Sequence, residues 1–394
     1  MYNQTLEDII FLMFYASVAM LSLIACCYLL FRRSNAFAKD VTPPMRLRRW
    51  TAAFFAAIAL CHLWYLPTYF LTSSDDMMLS SLIAGLLDSM TVIPLAIVIL
   101  LAMLQDRRRP LWPVAVMVAP FVVGNVFSIA TLSDALLPML FVYCLLMWLG
   151  LIIYMVCATR QYGRWLRDNY ADLEHKEVWQ SFVVLAIILL VYAIYLLDVG
   201  ELIYEYALDV IIIVLVCYLL WRVETLSDLS ITVNDLKDET VTTENMEDND
   251  YPLSIRNSIG SLLQQRCIDT QLYLQHDLNI SQLAKAIGTN RFYLSQYFSG
   301  QGTTYNAYIN DLRINHFVSL YHEAVYSKRS VTAQQLALES GYGSYSTFRD
   351  AFKRKTGQSV TAWMKAASER EQSQARLDSA ERKQAGLEGK VGEP

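Results

Sequence analysis

Seven apolar stretches fill most of the first 221 residues of this 394-residue chain and leave few folds open to it. In hydrocarbon no water satisfies a free backbone N–H or C=O, so a crossing segment must be helical, and about 20 residues are needed to span. The stretches lie at about 9–31, 50–71, 82–104, 111–131, 136–158, 178–197 and 205–221; the last is short and contains Asp209. Basic residues fall in every second gap. Gap 32–49 holds Arg32, Arg33, Lys39, Arg46, Arg48 and Arg49; gap 105–110 holds Arg107, Arg108 and Arg109; gap 159–177 holds Arg160, Arg164, Arg167 and Lys176. The N-terminal segment and gaps 72–81, 132–135 and 198–204 contain no Lys or Arg. Cytoplasmic loops carry the excess of Lys and Arg, so the alternation predicts seven spans, N-terminus outside and C-terminus in the cytoplasm. The first span lacks a basic leader and a small-residue cleavage site, and is expected to stay as an anchor.

The rest of the chain differs in kind. A mean hydropathy of +0.30 and a net charge of -5 average regions of opposite character. Residues 222–252 carry Arg222 and Lys237 against nine acids, whereas residues 253–366 carry 12 basic and 6 acidic residues. A basic domain is thus hidden in an acidic total, and its own field is what a polyanion would meet. Four regions are expected: a membrane domain and candidate sensor at 1–221, an acidic stalk and linker at 222–252, a basic helical domain at 253–366, and a disordered tail at 367–394. In the stalk, Val223, Leu226, Leu229, Val233 and Leu236 follow a 3–4 spacing that continues the last span or pairs with a second copy. The run Thr240–Asp250 loses that period and is acidic enough to be flexible. The seven cysteines form no CxxC and avoid the outer gaps, which reads as small apolar packing groups.

Within 253–366 a ten-residue pattern occurs twice, 53 positions apart: Asn279-x-x-Gln282-Leu283-Ala284-x-x-x-Gly288 and Thr332-x-x-Gln335-Leu336-Ala337-x-x-x-Gly341. Each copy begins with an N-cap residue and a Gln at N3, a capping box, and ends at a Gly suited to the left-handed turn. An amphipathic helix follows each, Arg291–Phe298 and Tyr345–Lys355, giving two helix-turn-helix units. Between them runs a long helix, Thr304–Val325, containing Tyr308-Ile309-Asn310-x-Leu312-Arg313-Ile314. With Gly341-Tyr342, Ser344, Phe348, Phe352-Lys353-Arg354-Lys355, Thr356-Gly357 and Trp363, this resembles the AraC/XylS-type DNA-binding domain. Together with the preceding spans, the chain resembles membrane-embedded AraC-type regulators of the bacterial cytoplasmic (inner) membrane. The fold class expected is therefore all-α, a seven-helix transmembrane bundle followed by a cytoplasmic tandem helix-turn-helix domain.

The resemblance implies that the second helix of each unit enters the major groove of double-stranded DNA, with RNA polymerase a further partner. By position, Phe292, Ser295 and Gln296 would read bases from the first unit, and Tyr345, Ser346, Thr347, Arg349 and Asp350 from the second. Gln suits adenine and Arg suits guanine, while Thr and aromatic groups suit the thymine methyl. Arg291, Lys353, Arg354 and Lys355 fit phosphate contacts, which position without reading. Two departures from the family are Ser299-Gly300-Gln301-Gly302, where a basic stretch is frequent, and Val360, where a proline is common.

His62, Asp88 and Asn125 fall inside spans, toward the outer half, with Pro67 and Pro94 nearby. Polar groups in hydrocarbon are a functional hint. They line an outward pocket for a small-molecule or peptide ligand, or they satisfy one another and hold the bundle together; both readings stay open. No HExxH, GxSxG or P-loop occurs, and His276, His316 and His322 lack metal-ligand spacing, so no catalytic residue, metal or cofactor is expected. The function expected is a membrane-bound one-component transcription regulator, as a monomer or homodimer, with proteolytic release within about 238–252 as a variant. Against it stand a transporter or membrane enzyme whose C-terminal domain is only regulatory, and an interaction module without DNA binding.

Overall fold

The computed structural model describes residues 6–32, 35, 42–133, 135–173, 176–179, 181–196, 201–229, 253–327, 329–370 and 373. Most of the stalk beyond Leu229, including Val233, Leu236 and Thr240–Asp250, and nearly all of the tail lie outside them. The chain divides into two compact units, Met1–Leu166 with His175–Val241, and Arg167–Glu174 with Thr242–Pro394. Among the described residues there is no strand, only one isolated bridge, Tyr170 to Asn279.

The first unit contains α1 (Leu6–Phe31), α2 (Met45–Tyr65), α3 (Ser74–Met90), α4 (Val92–Met103), α5 (Trp112–Thr131), most of α6 (Leu137–Asn169), α7 (Ser181–Leu196) and α8 (Glu201–Thr225). Among the described residues, six segments are long and apolar enough to cross a membrane: Ile9–Phe31, Met45–Tyr69, Ser74–Met103, Trp112–Thr131, Leu137–Asn169 and Tyr206–Thr225. The seventh apolar helix, α7, is 16 residues long. Exposed Leu, Ile, Val and Phe side chains are numerous on these helices, as on a surface solvated by lipid. The stretch expected as one span at 82–104 falls within the single segment Ser74–Met103, which is built of two helices because Pro94 has no N–H to donate to Met90 and its ring crowds that carbonyl. The chain breaks at Thr91, with φ -123° and ψ -67°.

Charge is buried where α1, α2 and α8 meet. Arg48 is 4 % exposed, donates Nε–H to the Leu29 carbonyl at 2.7 Å, and lies 3.5 Å from Glu224. It also donates to the carbonyl of Arg32, so one guanidinium ties the end of α1 to α2 and α8. A buried pair is costly to break from one side, since the remaining charge is left in a low dielectric.

The second unit has two cores strung along one helix. α9 (Leu253–Leu263) leads through the π-turn Gln264–Ile268 to α10 (Ile280–Ile287) and α11 (Arg291–Gly300); α12 (Tyr305–Tyr326) then leads to α13 (Ala333–Glu339) and α14 (Tyr345–Thr356). The first core packs Leu263, Cys267, Leu283, Ile287, Leu294 and Phe298 against Tyr305 and Ile309. The second packs Leu336, Tyr342, Phe348, Phe352 and Val360 against Ile314 and Phe317. The N-terminal half of α12 thus serves one unit and its C-terminal half the other. Burial pushes the Cys267 thiol up to about 11, so it stays protonated and acts as a small apolar group.

Candidate nucleic-acid interface

Each helix-turn-helix unit is built by its caps. Asn279 accepts from the Gln282 amide at 2.9 Å and Gln282 Oε1 accepts from the Asn279 amide at 3.0 Å, completing the expected capping box. Gly288 closes α10 at φ +79°, and Asn290 starts α11 by accepting from the Tyr293 amide at 2.9 Å. The second unit repeats half of the device. Thr332 accepts from the Gln335 amide at 3.1 Å, but the Gln335 side chain does not reach back. It donates instead to Glu339 Oε1 at 3.0 Å, one turn on, because a partner at i+4 lies on the same face. Gly341 makes the turn at φ +88°, and Ser344 accepts from the Thr347 amide to start α14.

Apolar spacing then decides which faces are turned outward. On α11, Leu294 and Phe298 point into the first core, leaving Gln296 exposed and Phe292 47 % exposed. Ser295 is half-buried and lines a cavity of about 200 Å³ with Asp168, Phe298 and Thr304. On α14, Phe348, Ala351 and Phe352 are buried, while Ser346, Arg349 and Asp350 are exposed and Tyr345 and Thr347 half-buried. The Ser346 and Thr347 hydroxyls lie 2.9 and 3.1 Å from Ser344 Oγ, so they share in the cap. Arg349 Nε sits 3.3 Å from Asp350 Oδ1 in a solvent-exposed pair. Such a pair is weak, and the guanidinium can exchange that carboxylate for a stronger planar acceptor.

The four cations expected at phosphates stand differently. Lys353 and Arg354 are exposed in the last turn of α14. Lys355 Nζ is 2.7 Å from Asp311 Oδ1 on α12. Arg291 donates Nε–H to Asn169 Oδ1 at 2.9 Å. That last bond belongs to a contact with no warning in the sequence. Asn306 donates to the carbonyls of Tyr170 and Ala171 at 3.1 and 2.6 Å, and Asn310 to that of Ala171 at 3.2 Å. Both asparagines are buried, and Ala171 joins the first core. The segment from Asn169 to Asp172 is thus held as part of the second unit although it directly continues α6.

Arg313 joins the two cores. It is fully buried, donates Nε–H to the Tyr273 carbonyl and an Nη2 proton to the Gln275 carbonyl, both at 2.7 Å, and lies 5.5 Å from the Tyr342 ring centre. Burial lowers its pKa, yet an arginine remains charged at any ordinary pH. Of the two departures noted in the sequence, Val360 is 1 % exposed and fills the second core, while Gly302 turns the chain at φ +67°.

In the first unit, His62, Asp88 and Asn125 each have hydrogen-bond partners of their own. His62 Nε2 is 3.2 Å from Asp209 Oδ1, and its Nδ1 is 2.8 Å from the Ile58 carbonyl. Asp88 accepts from Trp64 Nε1 at 3.1 Å and from the Cys61 thiol at 3.6 Å. Asn125 donates to the Phe121 carbonyl at 2.9 Å. Asp209, seen in the sequence only as a blemish in a short span, is the partner of His62.

Residues 283–366 match a family model described as a helix-turn-helix domain. No curated protein and no solved structure matches the chain. Residues 283–366, which follow apolar helices long enough to cross a membrane, thus form an AraC-type helix-turn-helix domain.

Proposed function

We propose that the chain is a membrane-bound one-component transcription regulator whose two helix-turn-helix units read operator DNA under control of a signal received by the membrane domain. One observation carries this reading above all. Both units turn a polar helix face outward, with Gln296 on α11 and Arg349 on α14, while their apolar residues lock onto one shared helix. Side chains of these kinds make paired hydrogen bonds to adenine and guanine edges. Lys353 and Arg354 supply the phosphate contacts. By the alternation of basic gaps the domain lies in the cytoplasm, at the inner membrane of a bacterium.

The signal route we favour runs through Asn169–Asp172. These residues continue α6, and they hold Asn306 and Asn310 on α12 and Arg291 at the start of α11. A shift of α6 would release or reset the first reading helix. In this scheme Arg291 is available to a phosphate only when Asn169 gives it up.

The test is selection of binding sites from random duplexes by the full-length protein in nanodiscs. Enrichment of one sequence, with preference lost at separate positions in Gln296→Ala and Arg349→Ala, supports the proposal. Equal recovery of all sequences by folded protein contradicts it, and solute flux through the same preparation would favour a transporter.

A further inference from the structure

A cavity of about 590 Å³ lies in the first unit, between the start of α2, the end of α4, the loop before α5 and the residues just after α8. Its wall is of two kinds. Val98, Leu101, Ala102 and Leu111 are apolar, whereas Arg46, Arg107, Arg108 and Arg109 supply four positive charges against Asp228. Arg46, Arg107 and Arg108 are exposed, and among the described residues no carboxylate pairs with them. Arg109 is only 8 % exposed. It donates to the Leu104 carbonyl at 2.9 Å and to the Tyr154 hydroxyl at 3.2 Å, and approaches Asp106 at 2.8 Å. Its Nη2 has no hydrogen-bond partner among the described residues. A buried guanidinium nitrogen left without an acceptor is costly, and it marks a place where an anion would be stabilised.

We propose that this cavity binds a phosphate-bearing anionic amphiphile, an acidic phospholipid. The phosphate would sit among Arg107, Arg108 and Arg109, with one acyl chain along Val98, Leu101 and Ala102. The volume falls in the range of ligand cavities, and basic pockets between helices at the cytoplasmic face suit acidic headgroups. The site also adjoins the start of the stalk. Gln105, in the same wall, donates to the Ser227 carbonyl and accepts from the Leu229 amide, each at 2.9 Å, and the Asp228 amide donates to the Thr42 carbonyl at 2.9 Å. Lipid occupancy would brace the first residues that lead out of α8.

The inference rests on the first unit being a membrane domain, which fractionation of the protein with membranes checks separately, and it does not require DNA binding. Native mass spectrometry of the full chain would measure retention of phosphatidylglycerol against phosphatidylcholine. Arg107→Gln/Arg108→Gln removes exposed charge only, and Ala102→Trp fills the apolar part with the charges intact. Expected is selective retention of phosphatidylglycerol, weakened roughly tenfold or more in the arginine variant and blocked in the tryptophan variant. Equal retention of the two lipids, or no effect of either variant, would overturn the site. Displacement of the lipid by glycerol phosphate at equal concentration would overturn its amphiphilic character.

Discussion

Single residues fix the geometry of the second unit. At Gly341 the backbone has φ +88°, and a Cβ would stand 2.6 Å from Leu274 Cα and 2.7 Å from the Leu274 carbonyl oxygen. Backbone cannot yield as a flexible side chain does. Gly341→Ala should therefore destabilise the unit by roughly 3 kcal/mol, a value typical of combined strain and overpacking. Hydrogen exchange along α12 in the full chain would read this as early loss of protection, and unchanged protection would refute it. His316 gives a pH dependence. Its Nδ1 is 3.5 Å from the Tyr273 hydroxyl, and burial holds its pKa below the ordinary 6.5, partly opposed by Glu339. The unfolded chain then binds the proton more readily than the folded one. Stability is complete above pH 6.5 and falls as the pH drops through the window below it. His316→Gln should flatten the profile of unfolding midpoint against pH between about 7 and 5, and an unaltered slope would point to another group.

At the scale of elements, caps and faces decide the outcome. Asn279→Ala removes the side-chain half of a capping box, the acceptor for the Gln282 amide, and should cost about 1 kcal/mol, seen as faster exchange confined to α10. The same substitution logic at Gln335 predicts almost no effect, because its side chain bonds Glu339 at an exposed surface. Both units were legible from sequence, since caps, Leu-Ala pairs and closing glycines are local signals that repeat at a fixed distance. The outward faces of α11 and α14 were legible for the same reason. What stayed hidden were bonds between groups distant along the chain: Asn306 to Tyr170, His62 to Asp209, Arg48 to Glu224. No local period announces such a pair; only the packing of helices brings it together. The break at Thr91 was readable in principle from Pro94, but hydropathy alone runs straight through it. Asn306→Ala/Asn310→Ala should free the Asn169–Asp172 segment while both cores persist. Under the proposed route, reporter output would become insensitive to growth conditions; normal regulation would rule the route out.

For the whole molecule, the proposed function joins a bilayer-solvated unit to a basic reader that works at the membrane surface. If it binds DNA as proposed, a domain with 12 basic and 6 acidic residues over 253–366 should do so with strong dependence on salt. Removing one cation from a phosphate should lower the salt slope by about 1, so Lys353→Gln/Arg354→Gln should lower it by about 2 without changing site preference. Altered preference would assign those residues to base reading. Under the proposed function the reader acts while still anchored. Chromatin pull-down sequencing of the full-length protein in its native host, beside the Gln296→Ala/Arg349→Ala variant, tests it most directly, with the size of the captured protein recorded. Discrete peaks from intact-length protein, absent in the folded variant, are the predicted result. Peaks that persist in the variant, or that come only from a released C-terminal fragment, would contradict it.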